Sequence, residues 1–184
     1  MILGVAGTHG SGKDTMAAYL MKKGFGHYSH SDVLREDLRS QGIEVTRENL
    51  VSYGNKLRAE KGPDILTCRI QAILKKGMDY VITSIRNEAE VKAWQELNDF
   101  RLVWVDASEE LRFKRFMARH ERNSESQKEQ TFNDFLAAEK REWENDDPNK
   151  QQLKRCKALA NETIINDSTL ENFHKKIDIL LKGG

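Results

Sequence analysis

The chain has 184 residues, 38% of them hydrophobic and 32% charged, with a formal net charge of +1. That is one ordinary domain with room for a substantial core; the near-neutral charge argues against a nonspecific nucleic-acid binder, and no run approaches the ~20 apolar residues of a membrane span. The two cysteines, Cys68 and Cys156, suit neither a disulfide framework nor a zinc site, and with no room for a signal peptide before the first strand they are expected as reduced packing residues of a cytoplasmic protein.

Ile2, Leu3 and Val5 predict a short buried strand. It leads through Gly7-Thr8-His9-Gly10-Ser11-Gly12-Lys13-Asp14-Thr15 into a helix from about Lys13 to Lys23, capped by Gly24. Strand, glycine-rich turn, lysine and helix is the context that a phosphate-binding P-loop requires. Gly7, Gly10 and Gly12 let successive N–H groups turn inward around an anion, the new helix adds unpaired donors, and Lys13 adds a mobile charge. The spacing is that of G-x-x-x-x-G-K, but Asp14 follows the lysine and the hydroxyl comes one place later, at Thr15. The alternative is a tight glycine turn that binds nothing.

Gly26 to His30 predicts a second strand, and Ser31-Asp32 the start of a helix from Val33 to Ser40. Thr46 caps a third helix that Gly62-Pro63 breaks, and a fourth runs from Ile65 to Lys76. Tyr80-Val81-Ile82 is a buried strand, Asn87 to Leu97 a helix, and Phe100 to Ala107 a further strand whose following helix is capped by Ser108. Asn123 to Gln130 is polar and reads as a loop or mobile tip. Thr131 to Trp143 and Gln151 to Leu159 are helical. A last strand centres on Ile164-Ile165, and Ser168-Thr169-Leu170-Glu171 predicts a capping box for a helix carrying Leu170, Phe173, Ile177 and Leu180. Short strands alternating with helices predict an α/β fold with a parallel sheet, which binds ligands beyond the carboxyl ends of its strands.

Arginines cluster at those ends. Arg35 sits one turn into the second helix, Arg86 directly after the third strand, and Arg47, Lys56 and Arg58 between them. Planar guanidinium groups suit phosphate oxygens, so a second anion site beside the P-loop is expected; the other reading is surface arginines paired with neighbours such as Glu36 and Glu60. Arg112, Arg115, Arg119 and Arg122 form a stripe roughly 80° wide, opposite Phe113, Phe116 and Met117. Either an anion lies against it, or it is a solvated face partnered by Glu109 and Glu121.

Gly-x-x-Gly-Ser-Gly-Lys-x-Thr at 7–15, Asp32-Val33-Leu34-Arg35, Arg86 and Arg115-x-x-x-Arg119 together resemble the nucleoside monophosphate kinases over essentially the whole chain. The similarity is to small adenylate-kinase-like and deoxynucleoside monophosphate kinase-like members. It implies a three-layer P-loop fold over residues 1–184, with a five-stranded parallel sheet in the order 2-3-1-4-5. It also implies an acceptor-binding insert at about 31–76 and a short lid at about 119–140. Gly7, His9, Gly10, Ser11, Gly12, Lys13, Asp14 and Thr15 would then hold ATP, with Arg115, Arg119 and Arg141 acting from the lid side. Asp32, Arg35, Asn55, Arg58 and Arg86 would serve the acceptor. Adenylate kinases place a carboxylate before the third-strand arginine where this chain has Ile82-Thr83-Ser84-Ile85-Arg86. Magnesium would therefore fall to Thr15, Asp14 or Asp32. The expected partners are small nucleotides, without nucleic acid or membrane, and the oligomeric state stays open. Two other functions remain open: a dephospho-coenzyme A kinase, using Asp32 as base on a ribose hydroxyl, and a nucleotide-binding switch without turnover, for which Thr83 speaks.

Overall fold

The computed structural model describes residues 1–123 and 131–183. Of the polar stretch expected as a loop or mobile tip, residues 124–130 lie outside the described residues, as does the side chain of Arg122.

The sheet is built around β1 (Ile2–Ala6), every residue of which is buried. It pairs in parallel with β3 (Tyr80–Thr83) on one side and β4 (Phe100–Asp106) on the other. β2 (Gly26–Ser29) and β5 (Glu162–Ile165) form the edges, giving the order β2-β3-β1-β4-β5. Because strand side chains alternate between faces, neighbouring residues of β1 and β4 part company. Leu3, Val5, Val103 and Val105 face α1 (Lys13–Lys22) and α9 (Leu170–Lys182), and pack with Met16, Leu20, Phe173 and Ile177. Ile2, Leu102 and Trp104 face the opposite layer. That layer includes Ile70 from α4 (Ile65–Gln71), Val91 and Trp94 from α5 (Glu88–Gln95), and Leu153 and Cys156 from α8 (Leu153–Ala158). Sealing a leucine or valine this completely stabilises the fold by ~1.5–3 kcal/mol each.

The remaining helices bring charged groups to the carboxyl ends of the strands. α2 (His30–Ser40) follows β2 directly, capped by the Ser29 hydroxyl accepting from the Ser31 N–H. The helix therefore starts at His30, one residue before the expected Ser31, and the strand ends at Ser29. α3 (Arg47–Lys61) begins at the expected Thr46 cap. α6 (Glu109–Asn123) follows β4, and α7 (Phe132–Trp143) returns over the sheet from a capping box between Thr131 and Asp134.

Three local expectations are corrected. The fourth helix stops at Gln71 instead of Lys76, since the chain turns so that Leu74 packs on the core and the Lys75 N–H reaches the Tyr80 hydroxyl at 3.0 Å. The last helix is capped by Thr169, which accepts from Asn172 N–H, so the Ser168–Glu171 box is not the one used and Leu170 is left exposed. Cys156 is buried as expected, but Cys68 is exposed. Among the described residues no helix is long and apolar enough to cross a membrane.

Candidate functional site

The chain between β1 and α1 needs backbone angles that side chains oppose. Gly10 has φ 73° and Gly12, the residue before α1, φ 110°. A Cβ at Gly10 would run into the Arg112 carbonyl, and one at Gly12 into the Asn166 side-chain amide. The loop is thus gripped from outside as well as shaped from within. Asn166, just past β5, donates to the Ser11 carbonyl at 2.8 Å. Inside the loop, Thr8 Oγ1 and Ser11 Oγ are buried without a hydrogen-bond partner among the described residues. Orphaned hydroxyls beside a helix N-terminus fit the oxygens of a bound phosphate chain.

Lys13 reaches back to the Thr8 carbonyl at 2.6 Å. Burial, and then the Arg86 guanidinium, push its ammonium down to about 8. Arg86 therefore stands close enough to the P-loop lysine for their charges to conflict. An anion between the two groups would relieve that conflict.

The second cluster centres on a residue the sequence reading did not single out. Glu142, in the last turn of α7, accepts from Arg86 Nη1 through Oε2 and from Arg47 Nη2 through Oε1, the latter at 2.9 Å. His9 of the P-loop joins them, its Nε2 lying 3.4 Å from Glu142 Oε1 and 3.1 Å from Arg47 Nη2. Burial raises the Glu142 carboxyl, but Arg86, His9 and Arg47 outweigh it and hold the group well below the usual carboxylate range. Burial also pushes His9 down to about 4 against the pull of Glu142. Four segments distant in sequence thus meet at one carboxylate.

Of the acceptor-side candidates, Arg86 is held by its backbone as well. Glu90 Oε2 accepts from the N–H groups of Arg86 and Asn87, at 2.9 and 3.1 Å. Just before it, Ser84 sits at φ 62°, strained for a residue with a side chain, and accepts from the Ser29 hydroxyl at 3.0 Å. Arg35 is bridged to the exposed Asp32 at 2.6 Å. Asn55 carries a buried Oδ1 without a partner among the described residues. Arg58 does not join the group. It is buried in a two-bond contact with Glu90, at 3.0 and 2.8 Å, and serves the core instead of the cleft. Burial raises Glu90, yet Arg58 and His30 bring it down to about 2.

Of the α6 arginines described, Arg112 and Arg115 turn toward the P-loop, and exposure rises along the helix to Arg119. Arg112 is buried against Glu139 and the Ala107 carbonyl, and Arg115 bonds the Asn166 carbonyl at 2.9 Å and that of Gly10 at 3.4 Å. Arg115 therefore meets the loop at the Gly10 carbonyl. Arg119 is exposed and paired with Asp14 at 2.7 Å. Arg141 and Thr15 are exposed. Among the described residues no group of three or more His, Cys, Asp or Glu side chains could hold a metal. A cleft of about 580 Å³ opens on the β4–β5 side, touching the loop at Thr8 and bounded by Trp104, Asp106 and Trp143.

A family model described as "AAA domain" matches residues 3–142. A UPF0200 protein of Pyrococcus horikoshii is 30% identical over 185 residues, covering 97% of this chain and 94% of that protein. Among solved structures, TT1252 from Thermus thermophilus aligns with a TM-score of 0.63 at 20% identity, covering 100% of this chain and 97% of that one. Shikimate kinase from Acinetobacter baumannii aligns with a TM-score of 0.58 at 14% identity, covering 99% and 93%. Likeness at this identity establishes a P-loop kinase-like fold.

Proposed function

The chain belongs to the UPF0200 family and carries an AAA domain, and from that premise we propose that it moves the γ-phosphoryl group of ATP onto the phosphate of a nucleoside monophosphate. The observation that carries the acceptor half is the convergence of Arg47 and Arg86 on one carboxylate beside the P-loop. Guanidinium groups so arranged suit a phosphate as acceptor. A hydroxyl acceptor would instead need a carboxylate free to take a proton. Asp32 is exposed and bound to Arg35, and Glu142 is held too acidic to act as an effective base.

In this reading the P-loop amides and Lys13 bind the donor phosphates. Arg119 leaves Asp14 to follow the group in transfer, with Arg115 and Arg141 behind it. Arg35, Arg86 and the Asn55 amide hold the acceptor within the insert at 31–76, while the lid at 119–140 keeps water out. The Lys13 ammonium loses its conflict with Arg86 once phosphate charge lies between them. Thr15, exposed at the head of α1, would hold magnesium, helped through water by Asp14 or Asp32. When bound, the metal neutralises polyphosphate charge. Its few protein ligands suit an ion that arrives on the nucleotide.

The test is a screen of ATP and magnesium against every ribo- and deoxyribonucleoside monophosphate and dephospho-coenzyme A. A nucleoside diphosphate product is expected. Transfer to dephospho-coenzyme A alone would overturn the acceptor assignment, and ATP binding without any product would leave a nucleotide switch.

A further inference from the structure

We propose that Glu142 is a resident stand-in for a phosphomonoester: its carboxylate fills an anion site formed by Arg47, Arg86 and His9, and an incoming phosphate takes its place. The identity of the molecule carrying that phosphate rests on the function proposed above; the site itself does not.

The geometry is that of ligand binding, supplied from within the chain. Each carboxylate oxygen takes a different guanidinium, Oε1 from Arg47 and Oε2 from Arg86, while His9 approaches both, at 3.4 and 3.3 Å. These contacts span 95, 56 and 133 residues of sequence, so they join the head of α3, the end of β3, the P-loop and α7. A phosphate offers three oxygens and nearly two charges where the carboxylate offers two oxygens and one. Charge favours the exchange. Arg86 and Lys13 conflict across the site, and Asp14 and Glu142 offset that conflict only in part. A dianion would complete the neutralisation that Glu142 leaves partial.

Access and release are both available. The Arg86 and Arg47 side chains are 24% and 42% exposed, against 9% for Glu142. Glu142 lies two residues before Glu144, where α7 ends in extended backbone, so its turn can open without unravelling the helix interior. Leaving the site would also uncouple α7 from α3.

The alternative is a permanent strut that keeps the two arginines in place, and the two ideas differ in sign. Isothermal titration of the full chain with inorganic phosphate, with ADP present to occupy the P-loop, reads the difference. Glu142→Gln keeps the size and one acceptor oxygen but removes the competing charge, so phosphate should bind about tenfold tighter than to the native protein. Arg47→Gln should bind it about tenfold more weakly. A Glu142→Gln protein that binds phosphate equally or less tightly shows a strut and overturns the proposal. An unchanged affinity in Arg47→Gln removes Arg47 from the site and overturns it as well. Should Glu142→Gln fail to fold, Glu142→Asp retains the charge on a side chain too short to span both arginines. It should also bind phosphate more tightly than the native protein, and equal or weaker binding again overturns the proposal. No turnover is needed, so this result stands or falls apart from the acceptor screen.

Discussion

His9 shows how one side chain can record the character of a site. Its ring lies between a glutamate that favours the proton and burial, Arg86 and Lys13 that oppose it, and opposition wins, leaving a group that titrates near 4. An unfolded chain would bind that proton below about 6.5. Between these values the unfolded state holds more protons, so stability is fully present above 6.5 and lost as pH falls toward 4. His9→Asn should therefore flatten the decline. We expect the loss between pH 7 and 4.5, measured by denaturant unfolding, to be about 1 kcal/mol smaller in the variant, a figure discounted for the partial exposure of the ring. An equal loss in both proteins would mean that other groups set the acid sensitivity.

At the level of the element, α5 does more than cover the sheet. Asn87 caps it in a capping box with Glu90, and its side-chain amide also donates to the carbonyls of Pro148 and Lys150, at 2.6 and 2.8 Å. The helix start thus anchors the segment that follows α7, including Gln151, which lies 3.4 Å from Arg86 Nη1. Asn87→Ala should lose the cap, ~1 kcal/mol, and strand two carbonyls, ~1 kcal/mol or more each. Thermal unfolding should register a total of ~2–4 kcal/mol. A loss below ~1 kcal/mol would show that solvent takes over those carbonyls at little cost. The Asn-x-x-Glu spacing at 87–90 is a readable capping-box signature and could have exposed the role of Glu90 in advance. Nothing comparable announces Glu142, because its side-chain partners His9, Arg47 and Arg86 all lie more than fifty residues away.

For the molecule as a whole, the proposed function makes the P-loop the divide between a donor side, with the Arg119–Asp14 pair, and an acceptor side, with Arg86, Arg47 and Glu142. Substituting lysine keeps the charge and removes the guanidinium fork. Arg86→Lys should raise the acceptor KM while ATP affinity stays near normal. Arg119→Lys should chiefly lower kcat, by a factor on the order of 10³, since a contact stronger in the transition state affects turnover. Steady-state kinetics with each substrate varied in turn separates the two. An Arg119→Lys enzyme with native kcat would reduce its Asp14 pair to a surface contact of at most ~1 kcal/mol.

What the sequence determined by itself was whatever depends on neighbours along the chain. Short apolar runs marked strands buried on both faces, caps and glycines marked most helix ends, and glycine spacing before Lys13 marked the P-loop, since these features act over one or two turns of backbone. The strand order followed from the resemblance and agrees with the sheet observed. Tertiary structure alone decided how each charge is used. Arg35, Arg58, Arg86, Arg112, Arg115 and Arg119 look alike in sequence, yet one is buried against Glu90, one against Glu139, one meets loop carbonyls and one meets Glu142 beside the P-loop. The physical reason is that a guanidinium's role depends on its nearest carboxylate and its distance from water. Both are set by chain segments that only the folded sheet brings together.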